Sequence, residues 1–314
     1  MLSFVELKFQ GLTDHPDSMP EFSGIPIRGA LGHLLKQIVC QSPHGECSIC
    51  LLKSACPYPA VFEGLPPANR TFMTKYPQIP QPFVLAVDEP ALPGSQSNFC
   101  FSVRLFGSAI RYWPYVCHTF FKAGEAGLGR NRTVIKWLQV GGAAEGKSVW
   151  SADSAEWSEP EVRTAGSSNV ICPNGQADVQ RLRWKFITPL NMPSVDLKRR
   201  PEELGLQLYL GGKRRWDTLQ HFYGAPTDAL AIQPSDRRFD AEEFRTLHSE
   251  FRPWAATRFS GRQQRRMTVQ GLTGEAVIEG PWGQTGVWLN AIPVIHVGKK
   301  TSFGFGRVEW EMIS

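Results

Sequence analysis

The sequence predicts an α+β protein made of two tandem ferredoxin-like (RRM-type) domains, with a zinc-binding insertion in the first. In each half, a segment of alternating apolar residues precedes a helical pattern, and a glycine-rich segment beside basic residues comes late. This order, occurring twice, indicates a duplicated β-α-β-β-α-β arrangement. A chain of 314 residues is long enough for two such domains.

The opening strands and the helices that follow them are predicted from periodicity. Residues 2–9 read LSFVELKF and residues 182–190 read LRWKFITPL. Alternation of this kind is typical of a strand with one buried face. Helical patterns follow at 27–39 and at 201–223, and we expect the glycine pair 211–212 to interrupt the second helix.

The late glycine-rich segments and the linker complete the domain organisation. The glycine-rich segments are 124–132 (GEAGLGRNR) and 298–307 (GKKTSFGFGR). Residues 139–175 are rich in Gly, Ser, Ala and acidic residues, which is typical of irregular hairpins and a linker. The predicted domains are therefore 1–175 and 176–314.

Composition excludes several protein classes. Hydrophobic residues make up 42% of the chain and charged residues 20%, which is typical of a globular protein. The N-terminal residues alternate like a strand and lack the pattern of a secretory signal. No apolar run approaches the length of a membrane span. We expect a cytoplasmic protein with no membrane partner.

Positive charge is concentrated in the second half of the chain. Residues 1–170 contain 14 Lys and Arg against 14 Asp and Glu, so the remaining residues carry 20 against 15 of the totals of 34 and 29. Clustered cations suit a polyanion, because each neutralised phosphate releases condensed counterions. The alternative is a solvated basic surface, which charge runs usually form.

Four cysteines lie close together in the first half. Cys40, Cys47, Cys50 and Cys56 follow the spacing C-x6-C-x2-C-x5-C, and His44 could replace one of them as a ligand. Four thiolates at this spacing suit tetrahedral zinc, which would be structural because no coordination position stays open. Reduced free thiols and an iron–sulfur cluster are the alternatives. We expect no catalytic metal.

The first predicted helix carries a cationic stripe. Positions 28, 32 and 36 share one side of the helix at i, i+4, i+8 spacing, and the apolar residues between 27 and 38 form the core face. Gly29 and Gly32 each cost about 1 kcal/mol of helix stability relative to alanine. Close approach of RNA or of the second domain would explain them.

Several segments, taken in order, resemble one family, the RAMP-superfamily endoribonucleases that cut CRISPR precursor RNA within its repeats. They are the glycine-rich stretch His296–Gly306, the strand ending at Phe186–Leu190, the segment Ile27–His33 followed by a cysteine group that ends in Cys56-Pro57-Tyr58, and the stretch Arg214–Leu219 with Tyr223-Gly224. The resemblance covers nearly the whole chain, and its cysteines place it in one branch of the family.

The resemblance implies catalysis from the first helix. Many family members place a catalytic histidine there, often after a tyrosine. We therefore predict His33 as the proton-transfer group, with Arg28 and Lys36 as its cationic neighbours. No tyrosine precedes Tyr58 in this chain, so a Tyr-His-Lys triad cannot be carried over whole. His296 is the reserve candidate, at the point where we expect the final strand to enter the glycine-rich loop.

The predicted RNA contacts lie in the second half. In the glycine loop they are Lys299, Lys300, Ser302, Gly304 and Gly306, because glycine backbone amides can approach a phosphate closely. Two arginine-rich segments complete the set: Arg258, Arg262, Arg265 and Arg266, and then Lys213, Arg214 and Arg215. A tight hairpin without a ligand and a solvated strand edge are the alternatives.

Two functions follow from the resemblance. The first is a metal-independent endoribonuclease that binds a CRISPR repeat hairpin, cuts at its 3′ base by 2′-OH attack and leaves a 2′,3′-cyclic phosphate. The second is a non-cleaving RAMP subunit that holds guide RNA in a multi-subunit effector complex with other CRISPR proteins. A zinc-bearing regulator of other nucleic acids would explain the cysteines but not the C-terminal loop.

Overall fold

The chain divides into two compact units in a computed structural model. The model describes residues 1–313 except 16–18, 21, 43–44, 68, 88–97, 143–147, 167–179, 193–196, 198, 226–240, 261–264 and 285–286. The N-terminal unit comprises Leu2–Arg163 with Tyr223–Ala225. The C-terminal unit comprises Thr164–Phe222 and Pro226–Ser314, together with Met1. In the described residues, no helix has the length and apolar character needed to cross a membrane.

The N-terminal unit is built on one antiparallel sheet and two helices. Its elements are β1 (Ser3–Leu12), α1 (Gly24–Val39), β2 (Phe83–Val87), β3 (Asn98–Phe106), α2 (Trp113–Ala126), β4 (Lys136–Gly141), β5 (Ser148–Ser151) and β6 (Arg163–Thr164). A short π-helical turn, Pro59–Glu63, follows the cysteine segment. The strand order is β2-β3-β1-β4-β5, and β6 also pairs with β1.

Aromatic residues fill the core of the N-terminal unit. The rings of Phe9 and Phe101 stack with centroids 5.0 Å apart, and Phe120 of α2 packs edge-on against Phe101 at 4.9 Å. Trp137 adds its ring, and its indole N–H donates to the Phe120 carbonyl oxygen at 2.9 Å. The period-two pattern of β1 therefore places its apolar residues against α2, as the sequence predicts.

The C-terminal unit repeats the same topology. Its elements are β7 (Gln180–Leu190), α3 (Leu204–Tyr223), β8 (Arg245–Ser260), β9 (Arg265–Gly280), α4 (Val287–Ile295) and β10 (Val308–Ile313). The antiparallel strand order is β10-β7-β9-β8. Both sheets thus follow the order 4-1-3-2 of a β-α-β-β-α-β unit. The α+β fold with two ferredoxin-like domains is confirmed.

The strands β8 and β9 extend well beyond the rest of their sheet. They pair from Arg245↔Glu279 to Ser260↔Arg265, whereas β7 pairs with β9 only from Gln180↔Gly280 to Leu190↔Leu272. The distal part of this hairpin is therefore a two-stranded ribbon. The ribbon, residues 254–271, contains four arginines and no aspartate or glutamate, so its sequence is strongly basic.

Two sequence predictions about elements are wrong. The α3 helix runs without a break through Gly211 and Gly212. A Cβ at Gly212 would stand 2.7 Å from the Trp288 ring of α4, so this glycine permits helix packing and does not end a helix. The segment before the glycine-rich loop, which we expected to be the final strand, is the α4 helix.

Candidate nucleic-acid interface

The glycine-rich loop 297–307 connects α4 to β10 in a tightly closed conformation. Lys300 has a left-handed backbone (φ 65°), and a 3-10 turn spans Thr301–Phe303. Gly304 and Gly306 also have positive φ values of 90° and 68°. A side chain at Gly306 would overlap the Val297 carbonyl oxygen, so only glycine fits there.

The end of β7 holds this loop. The Thr188 hydroxyl donates to the Gly304 carbonyl oxygen at 2.6 Å and accepts from the Arg307 backbone N–H at 2.9 Å. The Pro189 and Asn191 carbonyl oxygens accept from the N–H groups of Gly306 and Lys299 at 3.1 and 2.9 Å. Two segments that are far apart in sequence therefore form one structural unit.

These bonds correct the predicted role of the loop glycines and serine. The Gly304 N–H donates to the Thr301 carbonyl oxygen at 2.9 Å, and the Gly306 N–H donates to Pro189. Ser302 is only 7% exposed, and both glycines are buried. In this conformation Ser302, Gly304 and Gly306 shape the loop and do not offer a phosphate cradle. Lys299 is exposed and Lys300 is half-buried, so these two lysines carry the charge that the loop presents.

His296 is a structural residue and not a reserve catalytic group. Its side chain is 0% exposed, and its Nδ1 lies 3.2 Å from the Phe305 carbonyl oxygen. Its own backbone is left-handed, with φ 59°. A fully buried imidazole cannot reach a phosphodiester, and its hydrogen bond fixes the loop instead.

The basic ribbon contacts the same loop. The Trp254 ring of β8 packs edge-on against Phe305, with centroids 5.5 Å apart. The Asn191 amide donates to the Gln270 carbonyl oxygen of β9 at 2.6 Å. The loop and the ribbon of the C-terminal unit are therefore joined through Phe305 and Asn191.

The four predicted ribbon arginines are placed unequally. Arg265 and Arg266 are exposed at the start of β9. The backbone of Arg258 pairs with Met267, but its side chain lies outside the described part of the structure, and Arg262 lies wholly outside it. The exposed arginines place positive charge at the distal end of the ribbon.

Of the three basic residues on α3, one is exposed. Lys213 forms an ion pair with Asp217 at 2.7 Å. The Arg215 Nε donates to the Ile295 carbonyl oxygen at 2.7 Å and so caps the last turn of α4. Arg214 is exposed. The predicted cluster therefore divides into one surface cation and two residues with structural partners.

The glycine and arginine of the α1 stripe face an aromatic ring. A side chain at Gly32 would overlap the ring of Phe62, which packs from the π-helical turn. The Arg28 guanidinium lies 4.5 Å from the centroid of the same ring, within the range of a cation–π interaction. The prediction that Gly32 accommodates RNA or the second domain is wrong, because a side chain of its own unit covers it. Gly29, in contrast, has open space where its Cβ would be.

Lys36 supports the cysteine segment. Its ammonium donates to the Gly45 carbonyl oxygen at 2.6 Å and lies 5.4 Å from the centroid of the Tyr58 ring. The Tyr58 hydroxyl donates to the Glu63 carboxylate at 2.8 Å. Burial, together with this hydrogen bond, raises the pKa of Tyr58 well above its usual value. Tyr58 therefore stays protonated at neutral pH and cannot act as a general base.

His33 occupies a different side of α1 from this stripe. It is exposed, as is Gly29 one helical turn earlier. Residues four apart on a helix are neighbours on its surface. The imidazole is therefore accessible beside an open glycine, and it is separated from the aromatic contacts of Arg28 and Lys36.

The four clustered cysteines line one cavity with Tyr58 and the residues around Gly45. All four are free thiols and partly exposed. Burial raises the pKa of Cys56, and the neighbouring Cys40 and Cys50 raise it further. In the described residues, which do not include His44, no three His, Cys, Asp or Glu side chains are placed to hold a metal ion as they stand. The thiols share a site, but their side chains would have to rotate to form a ligand set.

Comparison with protein families identifies the chain. Residues 2–162 match the family AF_1859_N, described as an N-terminal domain. Residues 185–308, which include the end of β7, the ribbon and the glycine loop, match CRISPR-associated endoribonuclease Cas6. Residues 185–308 therefore carry the Cas6 endoribonuclease domain. An endoribonuclease family supports RNA cleavage and RNA binding by this chain.

Solved Cas6 structures share the fold. A Cas6 product complex superposes with a TM-score of 0.51 at 16% identity, covering 99% of this chain and 100% of the other. A partial Cas6-RT-Cas1–Cas2 complex gives a TM-score of 0.52 at 13% identity, covering 100% of this chain and 46% of the other. No curated protein matches the chain by sequence.

The sequence did not predict several residues that shape these two sites. Thr188, Asn191 and Trp254 fix the glycine loop, and Phe62 covers the α1 stripe. Thr188 lies within the stretch Phe186–Leu190 that carries the resemblance, and Asn191 follows it, so the sequence indicated their segment but not their contacts. Nothing in the sequence pairs Phe62 with Gly32.

Proposed function

We propose that this chain binds a CRISPR repeat hairpin and cuts precursor RNA at the 3′ base of the hairpin without a metal. The ribose 2′-oxygen attacks the adjacent phosphorus, the P–O5′ bond breaks, and the products carry a 2′,3′-cyclic phosphate and a 5′-hydroxyl. The observation that supports this proposal is the exposed His33 beside the open Gly29 on α1.

His33 is assigned the proton transfer. The reaction removes one proton from the 2′-hydroxyl and delivers one to the leaving 5′-oxygen, and an imidazole can accept the first proton or donate the second. Positive charge near the phosphate stabilises the phosphorane that forms between them. Arg28 is the candidate on the same helix, with its guanidinium over Phe62, because the nearer Lys36 is engaged with Gly45 and Tyr58.

Lys36 is proposed in a supporting role. Its ammonium is hydrogen-bonded to Gly45 and lies over Tyr58, so it ties the cysteine segment to α1. A direct catalytic role would require both contacts to break. We therefore assign Lys36 as a positioning residue, in place of the catalytic role predicted from the sequence.

The C-terminal unit is proposed to bind most of the RNA. Its exposed cations are Lys299 on the glycine loop, Arg214 on α3, and Arg265 and Arg266 on the ribbon. The loop and the base of the ribbon contact each other through Trp254 and Phe305, so one RNA molecule could reach the charges of both. A two-stranded ribbon with basic side chains suits the phosphate backbone of an RNA stem.

Zinc bound by Cys40, Cys47, Cys50 and Cys56 is proposed to stabilise the N-terminal unit. The shared cavity brings the thiols together, and four thiolates would complete a tetrahedral structural site. Because Lys36 contacts this segment, the metal would also stiffen the end of α1 that carries Lys36. It would take no part in the cleavage step.

Single-turnover cleavage of repeat RNA in EDTA tests the function. The wild-type chain should cut, and a 2′-deoxy substitution at the cleavage position should block the cut. His33→Ala should slow cleavage by about 10²–10⁴-fold and leave binding nearly unchanged, because proton transfer acts mainly in the transition state. His118→Ala, an exposed histidine on α2 of the same unit, is the matched control and should cut normally.

A substrate with a bridging 5′-sulfur separates the two proton transfers. Sulfur leaves without protonation, so His33→Ala should regain most of its rate on this substrate if His33 is the general acid. A rate that stays low assigns His33 as the general base. A wild-type chain that binds repeat RNA but never cuts it would instead favour the non-cleaving subunit, with other CRISPR effector proteins as its partners.

A further inference from the structure

The N-terminal unit has a basic hairpin tip that the proposed function does not use. Leu128 and Thr133 pair between α2 and β4, with N–H···O distances of 2.8 and 2.9 Å. The four residues between them, Gly129–Arg132, are all exposed. Gly127 and Gly129 have φ values of 83° and 72°, and Arg132 has φ 50°, so the tip is a tight and defined turn.

The tip is positively charged. Residues 126–136 contain Arg130, Arg132 and Lys136 and no aspartate or glutamate. All three side chains are exposed. A solvated charged turn is the ordinary explanation for such a sequence, so its location decides whether it has a function.

The tip lies beside the first turn of α1. A Cβ at Gly129 would stand 3.7 Å from the Cβ of Pro26, which is van der Waals contact. At 100° per residue, positions 26 and 33 lie within about 20° of each other around the helix, and seven residues span about 10 Å along its axis. The tip and His33 therefore lie along one side of α1.

The surface between them is open. Gly29, which lies between Pro26 and His33, has no heavy atom within 4 Å of where its Cβ would be. A short stretch of extended single-stranded RNA can cross this gap. Arginine suits the phosphates of such a strand, because its planar guanidinium donates to two oxygens at once.

We propose that Arg130 and Arg132 form a second RNA site, which holds the phosphate backbone of the single strand that leads to the scissile phosphate at His33. This site rests on the proposed function, because it positions the strand for that cleavage. It also gives the exposed glycine on α1 a reason, since a side chain at position 29 would stand in the path of the strand.

The test compares two double variants that each lose two positive charges. Arg130→Gln with Arg132→Asn removes the tip charges, and asparagine tolerates the left-handed backbone at position 132. Lys8→Ala with Lys75→Ala, two exposed lysines elsewhere in the same unit, is the control. Binding is measured against salt concentration with a repeat RNA that carries 2′-deoxyribose at the cleavage position.

The tip variant should bind more weakly, and its log–log salt slope should fall by about 1.4, the loss expected for two phosphate contacts on a single strand. Its single-turnover cleavage should slow. Its affinity should equal that of the wild-type chain on RNA that has been shortened to remove the single strand beside the cut. Arg130→Lys with Arg132→Lys should keep the salt slope, because it keeps both charges.

Two results separate this site from the proposed function. If the tip variant binds and cuts like the Lys8→Ala with Lys75→Ala control, and the wild-type chain cuts the RNA, the second site is overturned and the proposed function stands. If the wild-type chain does not bind repeat RNA, the proposed function is overturned and the second site with it.

Discussion

Thr188→Val tests whether the end of β7 holds the glycine loop. Valine keeps the branched shape of threonine but has no hydroxyl. In the wild-type chain this hydroxyl is buried, donates to the Gly304 carbonyl oxygen at 2.6 Å and accepts from the Arg307 N–H at 2.9 Å. The substitution removes both hydrogen bonds and leaves one carbonyl oxygen and one amide without this partner.

The expected loss of stability follows from these two groups. A buried polar group that loses its partner costs about 1–3 kcal/mol. The Arg307 N–H is only half-buried and can recover part of this from water, and valine gains a few tenths of a kcal/mol in a strand. We expect the free energy of unfolding of the C-terminal unit to fall by about 2–3 kcal/mol. RNA affinity should fall as well, because the loop that carries Lys299 loses its fixed conformation.

Urea unfolding followed by circular dichroism measures the first effect, and RNA titration at fixed salt measures the second. Thr188→Ser is the control, because it keeps the hydroxyl and should stay within about 1 kcal/mol of wild type. If Thr188→Val unfolds within 0.5 kcal/mol of wild type, on the order of an ordinary surface substitution, and binds RNA with wild-type affinity, the hydroxyl does not hold the loop.

Three further predictions concern other parts of the chain. Elemental analysis of the purified protein should find about one zinc per chain, and the double variant Cys47→Ser with Cys50→Ser should lose it. A wild-type chain that is stable and active without zinc would refute the site. Arg265→Ala with Arg266→Ala should weaken RNA binding and reduce the log–log salt slope by about 1.4–1.8, and an unchanged slope would place the phosphate contacts elsewhere. Gly32→Ala should destabilise the N-terminal unit by about 1–2 kcal/mol, because overpacking against the Phe62 ring exceeds the gain of about 1 kcal/mol in helix propensity. A thermal unfolding temperature at or above that of the wild-type chain would contradict this contact.

The spacing of apolar residues predicted the fold because the strands and helices of each unit follow it. The alternation in β1 and β7 and the apolar face of α1 identify the opening strand and helix of each unit, and the repeated order gives the duplication. The break expected at Gly211 and Gly212 is absent because propensity yields to packing, and the space at Gly212 is filled by Trp288. Such a contact joins residues that are far apart in the sequence, so no local sequence pattern predicts it.

The sequence identified the segments that form the candidate site but not the contacts between them. The glycine loop and the end of β7 were both singled out, yet their sequence does not reveal that Thr188 binds Gly304. The loop glycines were predicted as phosphate donors because glycine permits close approach, but the Gly304 N–H donates within the loop and the Gly306 N–H donates to Pro189 of β7. Spacing on α1 grouped positions 28, 32 and 36, but only the structure shows the aromatic rings that all three of them face.

The position of β10 in its sheet sets the order in which the chain can become functional during synthesis. β7 is made before α3 and the ribbon, but its partner β10 comes after all of them in the chain. The Thr188 hydroxyl has no partners until Gly304 and Arg307 have been made, so the glycine loop can close only after that point of synthesis. Because domains fold as units from the N-terminus onwards, the N-terminal unit can be folded while the loop is still open. A nascent chain that has not yet reached Arg307 therefore lacks the hydrogen bonds that fix Lys299 and its loop in place.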